Sequence, residues 1–109
     1  MINGETIKVK LSNYLPNEGG INCANFVNGE CISNLANGED WKIYFGKNNT
    51  IACPSELPFG TVIIIYNREY TCRDRGGAII IENGVYWVDV LGYPIAPFGA
   101  VEDAILVRR

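Results

Sequence analysis

The feature that most constrains the fold of this chain is its succession of short apolar runs, each ended by glycine, proline or asparagine. No window keeps a helical pattern for three turns, and the weak helical candidate around Pro97 to Asp103 is interrupted by Gly99. Asn83-Gly84 is a strong hairpin signal between two such runs. Six or seven short strands joined by such turns predict an all-β fold, either a small closed barrel or a sandwich.

Individual strands are predicted from alternation and from uninterrupted apolar runs. Residues 6–11 alternate apolar and polar side chains, whereas residues 61–66 do not alternate, which is typical of a strand buried on both faces. Residues 12–40 are rich in Asn and Gly, which predicts a long, turn-dense loop. The remaining predicted strands are 41–45, 50–53, 69–73, 78–81, 85–90 and 104–107.

The length and charge of the chain limit its domain number and the partners it is expected to bind. The 109 residues suit a single domain spanning residues 1–109. The net charge is −3 and the basic residues are scattered, with Arg108-Arg109 the only adjacent pair, so nucleic-acid binding is disfavoured. The longest apolar run, residues 62–66, is far too short to span a bilayer. No signal peptide is recognisable, because no basic region precedes an apolar stretch near Met1.

The chain contains no histidine and four cysteines. Without histidine, Ser-His-Asp and Cys-His nucleophile systems and histidine-based metal sites are excluded within one chain. The cysteines lack Cys-x-x-Cys spacing, so disulfides are favoured over buried free thiols and over a metal site. Of the three pairings that four cysteines allow, we favour Cys23–Cys31, across a short loop, and Cys53–Cys72, joining two strands. If both form, the working compartment is oxidising.

Two aspartates, Asp74 and Asp89, stand near the ends of apolar runs. A carboxylate at a strand end, beside the Gly-Gly turn that follows Asp74, is a usual way to hold a general acid in a cleft. Structural alternatives exist for both. Asp74 could accept hydrogen bonds from the turn amides of residues 75–77, and Asp89 could be satisfied by backbone amides or by Arg73 or Arg75.

Several patterns, taken together and in order, resemble the three-aspartate ("3D") domain family over roughly residues 6–109. This family is found in murein lytic transglycosylases and in cell-wall and phage proteins. The resemblance implies an all-β, six-stranded double-psi β-barrel with a long Gly/Asn-rich or disulfide-stapled N-terminal loop. The patterns are Ile51-Ala-Cys-Pro-Ser-Glu-Leu-Pro-Phe-Gly-Thr61, Tyr70-Thr-Cys-Arg-Asp-Arg-Gly-Gly-Ala-Ile79, Trp87-Val-Asp-Val90 and Phe98-Gly99 before a final apolar strand.

The resemblance implies lytic cleavage of peptidoglycan glycan strands. The family's second and third aspartates correspond to Asp74 and Asp89, and its first corresponds to Cys53. Asp89 is expected to act as the acid/base and Asp74 as its electrostatic partner. One carboxyl group would protonate the glycosidic oxygen and then take the C6 hydroxyl proton, which closes a 1,6-anhydro ring. No cofactor, nucleic acid or membrane insertion is implied, and the expected location is the extracellular cell wall or a virion.

Candidate substrate-binding residues surround the two carboxylates in this interpretation. Aromatic rings can stack on sugars, although core packing is the alternative for each of them. Glu56 could approach the cleft or be an exposed turn residue. The two glycines are predicted to supply backbone with positive φ. The full set is Trp41, Tyr44, Glu56, Arg75, Gly76, Gly77 and Trp87.

A second hypothesis is non-catalytic and is favoured by Cys53 at the first aspartate position. The barrel would then serve as a phage virion or tail structural protein, or as an expansin-like wall-binding module. A structural protein should form a homo-oligomer or virion assembly through a large apolar interface and should close the cleft between Asp74 and Asp89. An enzyme should show an open groove with both carboxylates at its base.

Overall fold

The computed structural model describes residues 4–107, apart from the side chain of Ile21. Met1 and the basic pair Arg108-Arg109, which entered the sequence analysis, lie outside the described residues. Within residues 4–107 the regular structure consists of strands and three short 3₁₀ turns. The 3₁₀ turns are Pro16–Glu18, Gly20–Asn22 and Trp41–Ile43. The strands are β1 Gly4–Tyr14, β2 Phe26–Val27, β3 Glu30–Cys31, β4 Thr50–Ala52, β5 Val62–Ile65, β6 Arg68–Asp74, β7 Ile81–Glu82, β8 Val85–Leu91 and β9 Val101–Val107.

Six of these strands close into a ring, which confirms the predicted six-stranded double-psi β-barrel. Their order is β1-β9-β5-β6-β4-β8, and β8 pairs with β1 to complete the circle. Two pairs are parallel, β1 with β8 and β4 with β6, and the other pairs in the ring are antiparallel. Closure leaves no unpaired edge in the ring, and β7 is added to β8 as a short hairpin.

The barrel interior is filled by one set of alternating side chains. On β1 this set is Ile7, Val9 and Leu11, while the intervening residues face outward. Val88 and Val90 continue the same core from β8. The period-two pattern predicted for residues 6–11 is therefore correct, and it continues through Tyr14 on the outer face.

The long loop between β1 and β4 covers part of the barrel's outer face. Leu35 and Trp41 from this loop pack against Ala52, Leu91 and Ile79, and together they make a second apolar cluster outside the barrel. The predicted disulfide between Cys23 and Cys31 is present in this loop, and the predicted disulfide between Cys53 and Cys72 joins β4 and β6 from the interior side. Two disulfides are consistent with a secreted protein.

Two of the predicted strands were wrong. Residues 41–45 are not a strand but contain a 3₁₀ turn, because the Asp40 side chain accepts a hydrogen bond from the Lys42 amide and caps it. Of the predicted strand 78–81, only Ile81 belongs to β7. The segment near Pro97, where Gly99 argued against a helix, is a turn closed by the Ala100 amide donating to the Pro97 carbonyl, and β9 follows it.

Candidate functional site

Asp74 and Asp89 lie in one row that crosses four neighbouring strands. Ala52 on β4 is paired with Asp74 of β6 on one side and with Asp89 of β8 on the other, and Asp89 is paired with Ser12 of β1. Paired residues of neighbouring strands project from the same face of a sheet. Two interstrand spacings separate the aspartate Cα atoms by about 10 Å. Both carboxylates therefore project outward, on either side of a small alanine.

Asp74 reaches this face because of an irregularity in the pairing of β4 and β6. Cys72 faces the barrel interior, so simple alternation would also direct Asp74 inward. The register shifts there: Ile51 is paired with Cys72, but Ala52 is paired with Asp74, which leaves Arg73 as an extra residue. Such a bulge reverses the direction of the following side chain. It thereby brings Asp74 onto the face that carries Asp89.

Both carboxylates line a single open cavity of about 340 Å³ between the barrel and the long loop. The walls from the barrel include Tyr14 and Ala52, and the walls from the loop include Trp41 and the Cys23–Cys31 bridge. Ala52, Asp74 and Asp89 of the outward row line the cavity, as do Leu35 and Trp41 of the second apolar cluster. The cavity has the dimensions typical of a small-ligand site.

Asp74 is held rigidly by three hydrogen bonds. Its Oδ2 accepts from the Tyr14 hydroxyl at 2.7 Å, and its Oδ1 accepts from the Ala36 amide at 2.8 Å and the Arg75 amide at 2.9 Å. Burial, followed by the negative charge of Asp74, raises the pKa of Tyr14 well above its ordinary range, so the phenol remains a donor. Of the turn amides 75–77 proposed as donors to Asp74, only that of Arg75 donates. The other two donors, the Tyr14 hydroxyl and the Ala36 amide, come from distant parts of the chain.

Asp89 is half-buried and has one protein donor among the described residues. The Ser12 hydroxyl donates to Oδ1 at 2.8 Å, so neither a backbone amide nor Arg73 or Arg75 satisfies this carboxyl group, contrary to the structural alternative. Burial raises the pKa of Asp89 from 3.8 to about 6; the Ser12 hydrogen bond lowers it and the charge of Asp74 adds to the rise. A carboxyl group with this pKa exchanges a proton readily near neutral pH.

Three of the predicted substrate-binding residues line this cavity. Trp41 is nearly buried, and its Nε1 donates to the Cys31 carbonyl, so it forms a wall. Gly76 borders the opening. Arg75 also lines the cavity, but its guanidinium contacts the Cys53–Cys72 sulfurs at 2.9 Å, donates to the Leu57 carbonyl and lies over the ring of Phe59. The Arg75 side chain is thus committed to the protein itself.

The other four predicted residues lie outside the cavity wall. Tyr44 donates to Glu39 and stacks under the Arg73 guanidinium. Glu56 is exposed in its turn, as the simpler alternative proposed. Gly77 borders a neighbouring shallow depression, and Trp87 lies on the outer face of β8, where its indole reaches Ser12.

The prediction that Gly76 and Gly77 need positive φ was wrong. Neither residue adopts such a conformation. A Cβ atom on Gly76 would lie 2.9 Å from Cγ1 of Ile79, so this glycine is required by a close approach. A Cβ atom on Gly77 would meet no atom within 4 Å.

Sequence reasoning missed Ser12, Tyr14 and Ala52. The signal for the first two was present, because the period-two alternation of β1 places residues 12 and 14 on the face opposite Leu11. What the alternation could not show is that β8 would lie beside β1. No sequence pattern pointed to Ala52. Its role depends on its position between Asp74 and Asp89, where a larger side chain would fill the space between the two carboxylates.

Neither a metal site, nor a membrane-spanning helix, nor a known relative accompanies the cavity in the described part of the chain. Within residues 4–107, no group of three or more His, Cys, Asp or Glu side chains is arranged to hold a metal ion. The described segment likewise contains no helix of a length and apolarity that would cross a membrane. No family model and no curated protein sequence matches this chain.

Proposed function

We propose that this protein binds peptidoglycan glycan strands and cleaves them by lytic transglycosylation, with Asp89 as the acid/base. One observation carries the proposal: two outward carboxylates share an open cavity, and one of them, Asp89, has its pKa raised to about 6. An enzyme needs such an open groove containing both carboxylates, whereas a structural protein should close the cleft between them.

Asp89 has the properties that a single acid/base needs. In its protonated form it would donate to the glycosidic oxygen, and the resulting carboxylate would then accept the C6 hydroxyl proton of the muramic acid. Because the same group gives and then takes a proton, its pKa should lie near the working pH. A value of about 6 meets that requirement better than the ordinary 3.8 of an aspartate.

Asp74 is suited to a second role. Its two oxygens are fixed by the Tyr14 hydroxyl and two backbone amides, so it has little freedom to rearrange during a reaction. A preorganised negative group beside the acid/base would stabilise the positive charge that develops on the sugar ring as the glycosidic bond breaks. Asp74 also contributes to the raised pKa of Asp89.

Membership of the three-aspartate family is part of the same proposal. It is supported by the closed six-stranded barrel and by the shared face of Asp74 and Asp89. At the position of the family's first aspartate, Cys53 forms the disulfide with Cys72, and Arg75 lies against the sulfurs. A covalent bond thus stands where the family has a carboxylate. The disulfides suit action outside a reducing compartment, at a cell wall or on a virion.

The test compares purified murein treated with the wild type, with Asp89→Asn and with Asp103→Asn. Asp103 is an exposed carboxylate of β9 that pairs with Lys8, so it provides a matched control of equal charge change. We expect 1,6-anhydro sugars from the wild type and the control, and a loss of at least 100-fold from Asp89→Asn. Absence of these products from the wild type would remove the catalytic proposal, and equal product from Asp89→Asn would remove Asp89 from the mechanism.

A non-catalytic role is the second candidate, as a virion or tail component or a wall-binding module. The observation behind it is that two large apolar side chains are exposed, Phe98 at 78% and Tyr93 at 69%. Sedimentation velocity would detect the oligomer that a structural protein needs. A monomer that cosediments with murein without releasing sugars would identify a binding module.

A further inference from the structure

A chain of two hydrogen bonds leads from the outer face of β8 to the candidate acid. The Trp87 Nε1–H donates to the Ser12 hydroxyl oxygen at 2.8 Å, and the Ser12 hydroxyl donates to Asp89 Oδ1, also at 2.8 Å. Ser12 and Trp87 take no direct part in the proposed proton transfers. Both distances are those of well-formed hydrogen bonds.

The strand register builds this chain. Ser12 is paired directly with Asp89 across the parallel β1–β8 contact, and Lys10 is paired with Trp87 one step earlier. Trp87 and Asp89 are two residues apart on β8, so they share the outer face. The Lys10 ammonium lies 4.4 Å from the centre of the Trp87 ring, and the Phe98 ring meets it edge to face. The indole is therefore clamped on two sides.

The chemistry of the donors sets the direction of the chain. An indole N–H only donates, and a serine hydroxyl has one proton to give. Since Ser12 accepts from Trp87, its own proton is directed to Asp89. Bonds in such a chain polarise one another, so the first strengthens the second. Without Trp87, the Ser12 hydroxyl would be free to rotate away.

The second oxygen of Asp89 has a different environment. Ser12 is the protein donor to Asp89 among the described residues, and it reaches Oδ1 alone. No buried side-chain oxygen in residues 4–107 lacks a partner, so Oδ2, which has no protein donor, is not fully buried, and Asp89 is one of the residues that line the cavity. Oδ1 is held by the Ser12 hydroxyl, and Oδ2 is the oxygen left without a protein donor.

We propose that Ser12 and Trp87 are positioning residues for Asp89: they fix Oδ1 as an acceptor and leave Oδ2 to carry the exchanged proton toward a bound glycan. The catalytic consequence rests on the proposed murein cleavage, whereas the positioning itself does not.

The apparent pKa of Asp89 depends on the titratable and charged groups that surround it. Asp74 faces it from β6 across Ala52, Tyr14 lies on β1, and Arg75 lines the same cavity with its guanidinium turned toward the disulfide. The loop residues of the cavity wall are uncharged. Since the Ser12 hydroxyl stabilises the charged form of Asp89, its removal should raise the pKa of that group.

The experiment follows the Asp89 carboxyl carbon by NMR as a function of pH. In Ser12→Ala we expect the apparent pKa of Asp89 to rise by about one pH unit, because the free energy of one hydrogen bond to a charged group corresponds to a shift of that size. Ser12→Thr keeps the hydroxyl and should return the midpoint to that of the wild type. Trp87→Phe keeps a ring but removes the N–H, and should shift the midpoint in the same direction by a smaller amount. Ser55→Ala, at an exposed serine, is the matched control and should change nothing.

The outcomes separate this proposal from the proposed function. An unchanged Asp89 midpoint in a folded Ser12→Ala protein, or equal shifts in Ser12→Ala and Ser12→Thr, would overturn the positioning roles. If Ser12→Ala does not fold, Trp87→Phe and Ser12→Thr decide in its place: the first must move the midpoint and the second must not. If the midpoints move as expected but the wild type releases no anhydro sugar, the positioning stands and the cleavage fails. If cleavage occurs, its pH profile should move with the Asp89 midpoint.

Discussion

Replacing Asp89 by Asn should stabilise the fold at neutral pH while it destroys the candidate acid. Asp89 has a pKa of about 6 in the folded protein against an ordinary value of 3.8, so the folded state binds its proton more tightly than the unfolded state. Its contribution to stability is therefore greatest below pH 3.8 and is lost as the pH rises through about 6. Asn cannot ionise, and it retains an oxygen that accepts the Ser12 hydrogen bond.

The magnitude follows from the two pKa values. Their difference corresponds to about 3 kcal/mol of lost stability above pH 6. Because Asp89 is only partly buried, solvent screening reduces this, and we expect Asp89→Asn to be more stable than the wild type by about 2 kcal/mol at pH 7.5. The gain should shrink to less than about 0.5 kcal/mol near pH 3.5, where the wild-type carboxyl group is protonated in both states.

The difference in free energy of unfolding between Asp89→Asn and the wild type can be measured by urea unfolding with the disulfides intact. Circular dichroism would follow the unfolding at a series of pH values from 3.5 to 7.5. Asp103→Asn controls for the change in net charge, because Asp103 lies exposed on β9 and a surface pair contributes at most about 1 kcal/mol. The reasoning is refuted if Asp89→Asn and the wild type differ by the same free energy at both ends of the pH range. It is also refuted if Asp89→Asn is the less stable protein at pH 7.5.

Two further predictions concern local packing at Gly76 and the covalent link between Cys53 and Cys72. Gly76→Ala should lower the free energy of unfolding by about 1–3 kcal/mol, because the new Cβ atom would collide with Ile79. Gly77→Ala, where a Cβ atom meets nothing, is the control and should change it by less than about 0.5 kcal/mol. Equal losses of stability for the two variants in thermal melts would contradict this prediction. Replacing Cys53 and Cys72 by Ala should cost about 3 kcal/mol, as expected for a bridge over 19 residues of sequence, and a melting temperature equal to that of the wild type would show that the bridge does not stabilise the barrel.

Much of the barrel could be predicted from local patterns. The alternation of β1 predicted which side chains enter the core, and the apolar run of β5 predicted a strand with little exposure. The failure at Trp41 has a specific cause: an aromatic-rich segment has high strand propensity, but the Asp40 cap and packing against Ala52 favour a 3₁₀ turn. Tertiary packing overrode propensity there.

The candidate site was less predictable. The two aspartates could be singled out, but the direction of Asp74 depends on a bulge between β4 and β6 that no local pattern reveals. The aromatic candidates were chosen for their chemistry, and their places depend on what they pack against: Trp41 forms the cavity wall, while Tyr44 stacks with Arg73. Ser12 was overlooked because its partner on β8 is 77 residues away.

The sequence by itself predicted an all-β chain, favoured two particular bridges among the three pairings that four cysteines allow, and singled out two aspartates as the candidate acids. These are local properties, since alternation, turn residues and cysteine spacing are read along the chain. Only the tertiary structure decided that Asp74 and Asp89 share a cavity, that Trp87 donates to Ser12 and Ser12 to Asp89, and that Arg75 contacts the disulfide. Such contacts depend on which strands become neighbours and in what register, and a shift of one residue would reverse every side chain involved.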